Sequence, residues 1–205
     1  MARVSQVILD SLVADCTQKP YDIVVSKWIV EKIPAIFNDD KEEFLRIKAL
    51  IAQGLKVDIC SVVFVGSSCT GFSMNPKKNF KTFDKDSDID IAIISHHHFN
   101  LAWRWMRQID MSTLNGKERY EISEHRKHFV FDGTIATDYI LPLLPFGKKW
   151  GTVLASISNE PVFGGKEIHF RLYQDHKSLI DYHVNNIKKN LPSILGVEVK
   201  DELVK

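Results

Sequence analysis

Apolar residues recur at helical spacing from the start of the chain. Val4, Val7, Ile8, Leu12 and Val13 share one face over residues 4–16, and Ile23, Trp28, Ile29, Ile33 and Phe37 repeat the pattern over 22–37. Asp39 or Asp40 is placed to cap a third helix running to about Gly54, where glycine and a nearby lysine suit a helix stop. Helices thus come first, and the period then shortens. An apolar run over 58–65 predicts a strand, a helix follows from near Ser68, and residues 88–94 predict a second strand. Residues 99–110 return to helical spacing through Trp103, Trp105, Met106 and Ile109. Apolar-rich runs over 127–131 and 134–141 flank Asp132-Gly133, a strong hairpin signal, and Pro142 and Pro145 end the second run. A strand over 167–173, a helix over 175–191 and a charged, fraying tail over 198–205 complete the chain. This order predicts an α+β fold: one domain with an N-terminal helical segment (1–56), a sheet core (57–174) and a closing helix and tail (175–205). The sheet is expected to be mixed, with its helices packed to one side.

Composition narrows the class without naming a chemistry. The 205 residues are 44% hydrophobic and 26% charged, ordinary for a water-soluble globular domain with a real core. A formal net charge of +1 carries no global signature of a nucleic-acid binder. No apolar stretch nears the length of a membrane span, and the first sixteen residues lack a basic leader, so neither membrane insertion nor a signal peptide is expected. Cys16, Cys60 and Cys69 are odd in number and lack metal-type spacing, which suits reduced thiols in a cytoplasm, the latter two as small core residues.

The chemistry concentrates between residues 62 and 94. A hydrophobic run ends in Gly66-Ser67-Ser68, a polar spacer follows, and Asp88 and Asp90 then alternate with isoleucines. On a strand the two carboxylates leave one face while Ile89, Ile91 and Ile93 leave the other. Neighbouring acids repel unless something positive lies between them, and magnesium with substrate phosphates answers that need with few protein carboxylates. Gly66 permits a tight turn and close backbone approach to phosphate; Ser67 and Ser68 offer hydroxyls or an ordinary helix cap.

Gly-Ser, a spacer and an apolar-flanked Asp-x-Asp resemble the signature of the DNA polymerase beta-type nucleotidyltransferase superfamily, over roughly residues 58–141. The spacer is longer than in compact members, with an inserted stretch around Asn75–Lys81. The resemblance implies a polymerase beta-like fold and transfer of a nucleoside monophosphate from an NTP to an acceptor hydroxyl, with release of pyrophosphate. It also implies two Mg2+ ions, with Mn2+ as the alternative, held by Asp88, Asp90 and a third acid. Asp138 is the choice for that acid, because an aspartate inside an apolar strand needs a reason, whereas Asp132 is explained by the turn. A pairing of Asp138 with Arg171 is the structural alternative.

Arg171, alternating with Phe170 and Leu172, could serve either the triphosphate or Asp138; Lys77, Lys78 and Lys81 are placed to reach phosphates or remain solvated. Asp84 and Asp86 read as loop acids. His96, His97 and His98 read as a strand-to-helix turn rather than a metal tract, and Trp103 and Trp105 as packing residues. The expected partners are an NTP and an RNA (tRNA included) or protein acceptor, in a compact bacterial-type enzyme of toxin–antitoxin or antiviral defence. A catalytically silent nucleotide- or partner-binding relative is the rival from another class.

Overall fold

The computed structural model describes residues 2–194; the charged tail expected over 198–205 lies outside the described residues. Among these, eight α-helices surround a four-stranded mixed sheet: α1 (Gln6–Gln18), α2 (Tyr21–Val25), α3 (Lys41–Leu55), β1 (Val62–Val65), α4 (Gly66–Thr70), β2 (Ile89–Ile94), α5 (His96–Gln108), α6 (Gly116–Glu124), β3 (Thr134–Ala136), α7 (Gly147–Ile157), β4 (Ile168–Tyr173) and α8 (His176–Ile194). The α+β class and the early helices are as the pattern predicts. None of these helices is long and apolar enough to cross a membrane.

The sheet order is β1-β2-β4-β3, with β2 and β4 parallel and both outer pairs antiparallel. Register sets Val65 opposite Asp90, Asp90 beside His169, and Ala92 and Ala136 beside Arg171. Alternation then gives two faces of different character. Phe64, Ile91, Phe170 and Leu172 lie on the apolar face. There Phe64 meets Phe44 of α3 and Phe163, and Phe170 meets Trp150 of α7 edge-on at 5.8 Å. Asp90, His169, Arg171 and Tyr173 lie on the opposite face, where Tyr173 and Arg171 meet Tyr182 of α8. Helices therefore cover both sides of the sheet, not one.

Several elements differ from the pattern-based expectation, each for a local reason. The helix expected over 22–37 breaks into α2, a π turn (Ser26–Val30) and a 3-10 turn (Ala35–Phe37), because Pro34 cannot donate to a helical ladder. Gly54 does not stop α3. Lys56 does, in the left-handed conformation, while a side chain at Gly54 would stand 2.8 Å from Val153 of α7, so the glycine serves helix packing. The first strand starts at Val62 rather than 58, since Ile59–Ser61 form a 3-10 turn.

The largest departure is the hairpin. Asn115 and Glu118 form a reciprocal capping box, each accepting a backbone N–H from the other at 2.9 Å, and this starts α6. Helical structure then runs on as a π turn through Phe129, where a strand was expected. His125 donates through Nδ1 to the Glu121 carbonyl at 2.7 Å and accepts at Nε2 from the Ala136 amide at 3.1 Å. That clamp fixes the end of β3, which is only three residues long. Helix α7 was not expected at all, and its Gly147 abuts the Leu141 carbonyl so closely that no side chain fits.

Asp15 ties the N-terminal helices together. Its carboxylate accepts from Lys19 at 2.6 Å, Lys27 at 2.5 Å and the buried Trp28 indole N–H at 2.8 Å. Hydrogen bonds from Lys19 and Lys27 hold its pKa well below the usual carboxylate range. A depressed folded-state pKa stabilises the fold above the unfolded-state value and loses that stabilisation as pH falls further. Asp15→Ala should leave the Trp28 N–H without its acceptor and cost on the order of 1–3 kcal/mol at neutral pH. In urea titrations the gap between wild type and variant should close as pH drops below about 4.

Candidate nucleotide and metal site

Gly66 follows β1 directly and takes a left-handed backbone with φ +65°. An added Cβ there would lie 2.5 Å from Oδ2 of Asp90, its neighbour across the β1–β2 pair. The glycine is therefore required twice, by its backbone and by the carboxylate seated over it. Helix α4, which follows, has five residues. Ser67 lies half-buried at its start and faces a cavity. Ser68 does not: it is fully buried, and its hydroxyl donates back to the Val65 carbonyl at 3.1 Å. Ser68 thus locks the turn instead of offering a hydroxyl to a ligand.

The cavity, about 450 Å³, is walled by Gly66, Ser67 and Thr70, by Asp90, Asp138, His169 and Arg171 at the sheet, and by His183, Asn186 and Asn190 of α8. Lys78 stands on its lining whereas Lys77 does not, so the insertion presents the second lysine of the pair. Lys81 is committed elsewhere, paired to Asp84 at 2.9 Å. Asp84 serves its own loop, accepting from the Ser87 hydroxyl and the Asp86 amide, and Asp86 is exposed, as loop acids should be.

Asp88 lies outside this cavity, just before β2, and lines an adjoining one with Asp90, Asp138, Tyr139, Glu167 and His169. Asp90 and Asp138 thus stand on the wall between two recesses. Asp90 keeps solvent access, yet enough protein surrounds its carboxyl that desolvation raises its pKa. Asp88 and Asp138 push in the same direction, and His169 and Arg171 oppose them. All three aspartates named from the motif therefore share one electrostatic neighbourhood.

The basis on which Asp138 was singled out does not hold, although its place beside Asp90 does. It lies two residues beyond β3, in a turn, with its side chain 36% exposed, rather than inside an apolar strand. It pairs with Nδ1 of His169 at 3.2 Å, not with Arg171. Asp132 is an exposed turn residue that lines neither recess. Arg171 has no carboxylate partner among the described residues. Its guanidinium stacks on Tyr182 at 5.1 Å, and its buried Nη1 lacks a hydrogen-bond acceptor. Nearby, the buried Nε2 of His183 also lacks a partner, and burial, then Arg171, bring this histidine down to a pKa of about 4.

Two neighbours of these acids were not among the residues expected from the sequence: Glu167, and His169, whose spacing to other histidines showed no ligand pattern. Together with Asp88 they offer one ligand atom each, all within 4.8 Å of one another, a group able to hold a metal ion. Their signal was the alternation Glu167, His169, Arg171, which continues to the start of β4 the polar face already noted at Arg171. His96, His97 and His98 open α5 behind the Ser95 cap, as a strand-to-helix turn should, and His98 packs on Phe146 and Trp150. Cys69 is buried, its thiol pushed up to about 12 by desolvation, whereas Cys60 is exposed rather than part of the core.

No family model, curated protein or solved structure matches the chain, so the geometry alone carries the functional reading. Gly66→Ala should test the seat of Asp90. The left-handed backbone costs about 1–2 kcal/mol for an L-residue, and the clash must be relieved by moving Asp90. Thermal denaturation should show a drop of that order, and a crystal structure should show the Asp90 carboxylate displaced.

Proposed function

We propose that the protein transfers a nucleoside monophosphate from an NTP to an acceptor hydroxyl and releases pyrophosphate. One observation carries this reading: a single cavity gathers Gly66, Ser67, Asp90 and Asp138 with the unpartnered guanidinium of Arg171. A half-buried guanidinium without a carboxylate, one of its nitrogens buried and without an acceptor, calls for an anionic ligand, and triphosphate suits its planar donors. The acids beside it call for a cation, because three carboxylates in one neighbourhood are mutually repulsive. Few ligands other than a metal-bound nucleotide satisfy both demands.

The donor set fits magnesium, a hard cation that takes carboxylate oxygens. Asp88, Asp90 and Asp138 would hold it, or manganese in its place, and when bound it supplies charge neutralisation and a lower pKa for the attacking hydroxyl. The chain's own residues do the rest. Ser67 and the backbone at Gly66 receive phosphate oxygens, Arg171 neutralises the β- and γ-phosphates, and Lys78 approaches from the insertion. The acceptor oxygen forms a new bond to the α-phosphorus as the α–β bridging P–O bond breaks. The hydroxyl proton passes to Asp138 or to solvent, and pyrophosphate leaves beside Arg171. The protein is asked for positioning and charge stabilisation more than covalent chemistry. The second recess, on the far side of Asp90 and Asp138, admits the acceptor, an RNA end (tRNA included) or a protein side chain.

A silent, nucleotide-binding relative of the same superfamily is the second reading. It is favoured by the Asp138–His169 pair, which engages the third acid with a neighbour. Turnover separates the two. Incubation with each radiolabelled NTP, magnesium and cellular RNA or protein should label one acceptor fraction. Asp88→Asn or Asp90→Asn should lower that labelling by about two to three orders of magnitude. Asp90→Asn should leave the fold intact or slightly more stable, since a raised folded-state pKa means that the charged carboxylate is disfavoured there. Nucleotide binding without labelling of any fraction would favour the silent relative.

Asp138→Asn should remove most activity with little loss of NTP affinity, whereas Asp132→Asn should be nearly silent because Asn-Gly supports the same turn. Arg171→Ala should weaken NTP binding, measured by calorimetry, by about tenfold or more. An unchanged affinity would place the triphosphate elsewhere.

A further inference from the structure

His169 is held on both sides by carboxylates. Its Nδ1 lies 3.2 Å from Asp138 Oδ1, and its Nε2 faces Glu167 Oε1 at 3.7 Å. A ring that turns Nδ1 to one carboxylate turns Nε2 to whatever lies on the other side. In metal proteins this is how an acid fixes the tautomer and orientation of a ligating histidine. On that other side stands Glu167, and Asp88, just before β2, completes a group with one ligand atom from each residue, all within 4.8 Å of one another.

The charge balance points the same way. Asp88, Asp90, Asp138 and Glu167 crowd one imidazole, and the other cation whose field reaches Asp90 is Arg171, which lines the opposite recess. Acids at such spacing draw in a cation. The donor types then say which kind. An imidazole is a poor ligand for magnesium, which prefers oxygen and gives up water reluctantly. Mixed nitrogen and oxygen donors bind first-row transition ions with affinity rising from manganese upward.

We propose that Asp88, Glu167 and His169 form a site for a divalent first-row transition cation, oriented by Asp138 and selective against magnesium. The site lies beside the second recess, which Asp88, Thr137, Tyr139 and Glu167 help to line. A cation there faces a ligand other than the one Arg171 receives. The site does not depend on nucleotidyl transfer, and it uses Glu167 and His169, which that reading leaves idle.

The test uses the full chain with metal alone and no nucleotide. Mn2+ titration followed by electron paramagnetic resonance should show a bound ion that Mg2+ displaces only at tenfold or greater excess, a margin on the order of one ligand's worth of affinity. His169→Ala and Glu167→Gln should each weaken Mn2+ binding about tenfold or more, and Asp138→Asn should weaken it about tenfold by freeing the ring. His169→Asp, with oxygen donors only, should narrow the preference for Mn2+ over Mg2+. Asp132→Asn removes a charge from a turn that lines neither recess, and should change Mn2+ affinity by no more than about threefold. The side chain of Glu167 is 73% exposed, so Glu167→Gln carries no folding risk and keeps the test decisive. Equal affinity for the two ions in the wild type, no Mn2+ binding, or Mn2+ affinity unchanged in His169→Ala and Glu167→Gln would overturn the proposal. A protein that binds Mn2+ in this way but transfers no nucleotide would leave the site standing and remove only the transferase.

Discussion

The site depends on the parallel pairing of β2 with β4. That pairing joins strands separated by more than seventy residues and sets Asp90 beside His169 and Ala92 beside Arg171. Because side chains alternate with a period of two, a slip of one residue would turn the polar face of β4 into the apolar layer against Trp150. The apolar face enforces the register: Ile89, Ile91, Ile93, Phe170 and Leu172 are all essentially inaccessible to solvent. The hydrophobic layer on one side of the sheet thus fixes the geometry of the charged groups on the other.

Around that pairing, each neighbour restricts the acids differently. Gly66 yields its side-chain volume to Asp90, Ser68 locks the turn beneath it, and the His125 clamp holds the end of β3 so that Asp138 reaches His169. Helix α8 closes the cavity from above with His183, Asn186 and Asn190 at helical spacing. The result is a group of carboxylates placed between two recesses. One of these contains a guanidinium without an acid, and both are lined by His169, which pairs with Asp138. A single set of acids thus borders both recesses, while Arg171 lines only one of them.

Small departures from regular structure position this arrangement. Five residues of α4, three of β3 and the π turn after α6 would each be discounted as minor elements. Yet these are the segments that carry Ser67, deliver Asp138 and present His125. Regular strands place Asp90, His169 and Arg171 on one face, and the irregular ends of elements add Ser67 and Asp138 beside them.

The alternation Asp88-Ile89-Asp90-Ile91 and the run into Gly66-Ser67 were sufficient in the sequence to locate the glycine turn and the acidic strand that border the cavity. Both are local patterns whose meaning follows from strand period and backbone freedom alone, and the structure brings Gly66, Ser67, Asp90, Asp138 and Arg171 to one cavity. Glu167 and His169 were equally visible as an alternating pair, but nothing local says which strand they lie beside. The hairpin expected before β3 failed because the capping box at Asn115 outweighs a short β-prone run once α6 can pack. Asp138 was chosen for burial in a strand and is instead exposed in a turn, since β3 ends where its hydrogen bonds with β4 end. Ser68, Lys77 and Cys60 depended on which way a side chain points, and that direction is set by contacts made across the fold. Periodicity determines which residues share a face. Long-range strand pairing decides which faces meet, because its free energy comes from burying apolar surface contributed by distant parts of the chain.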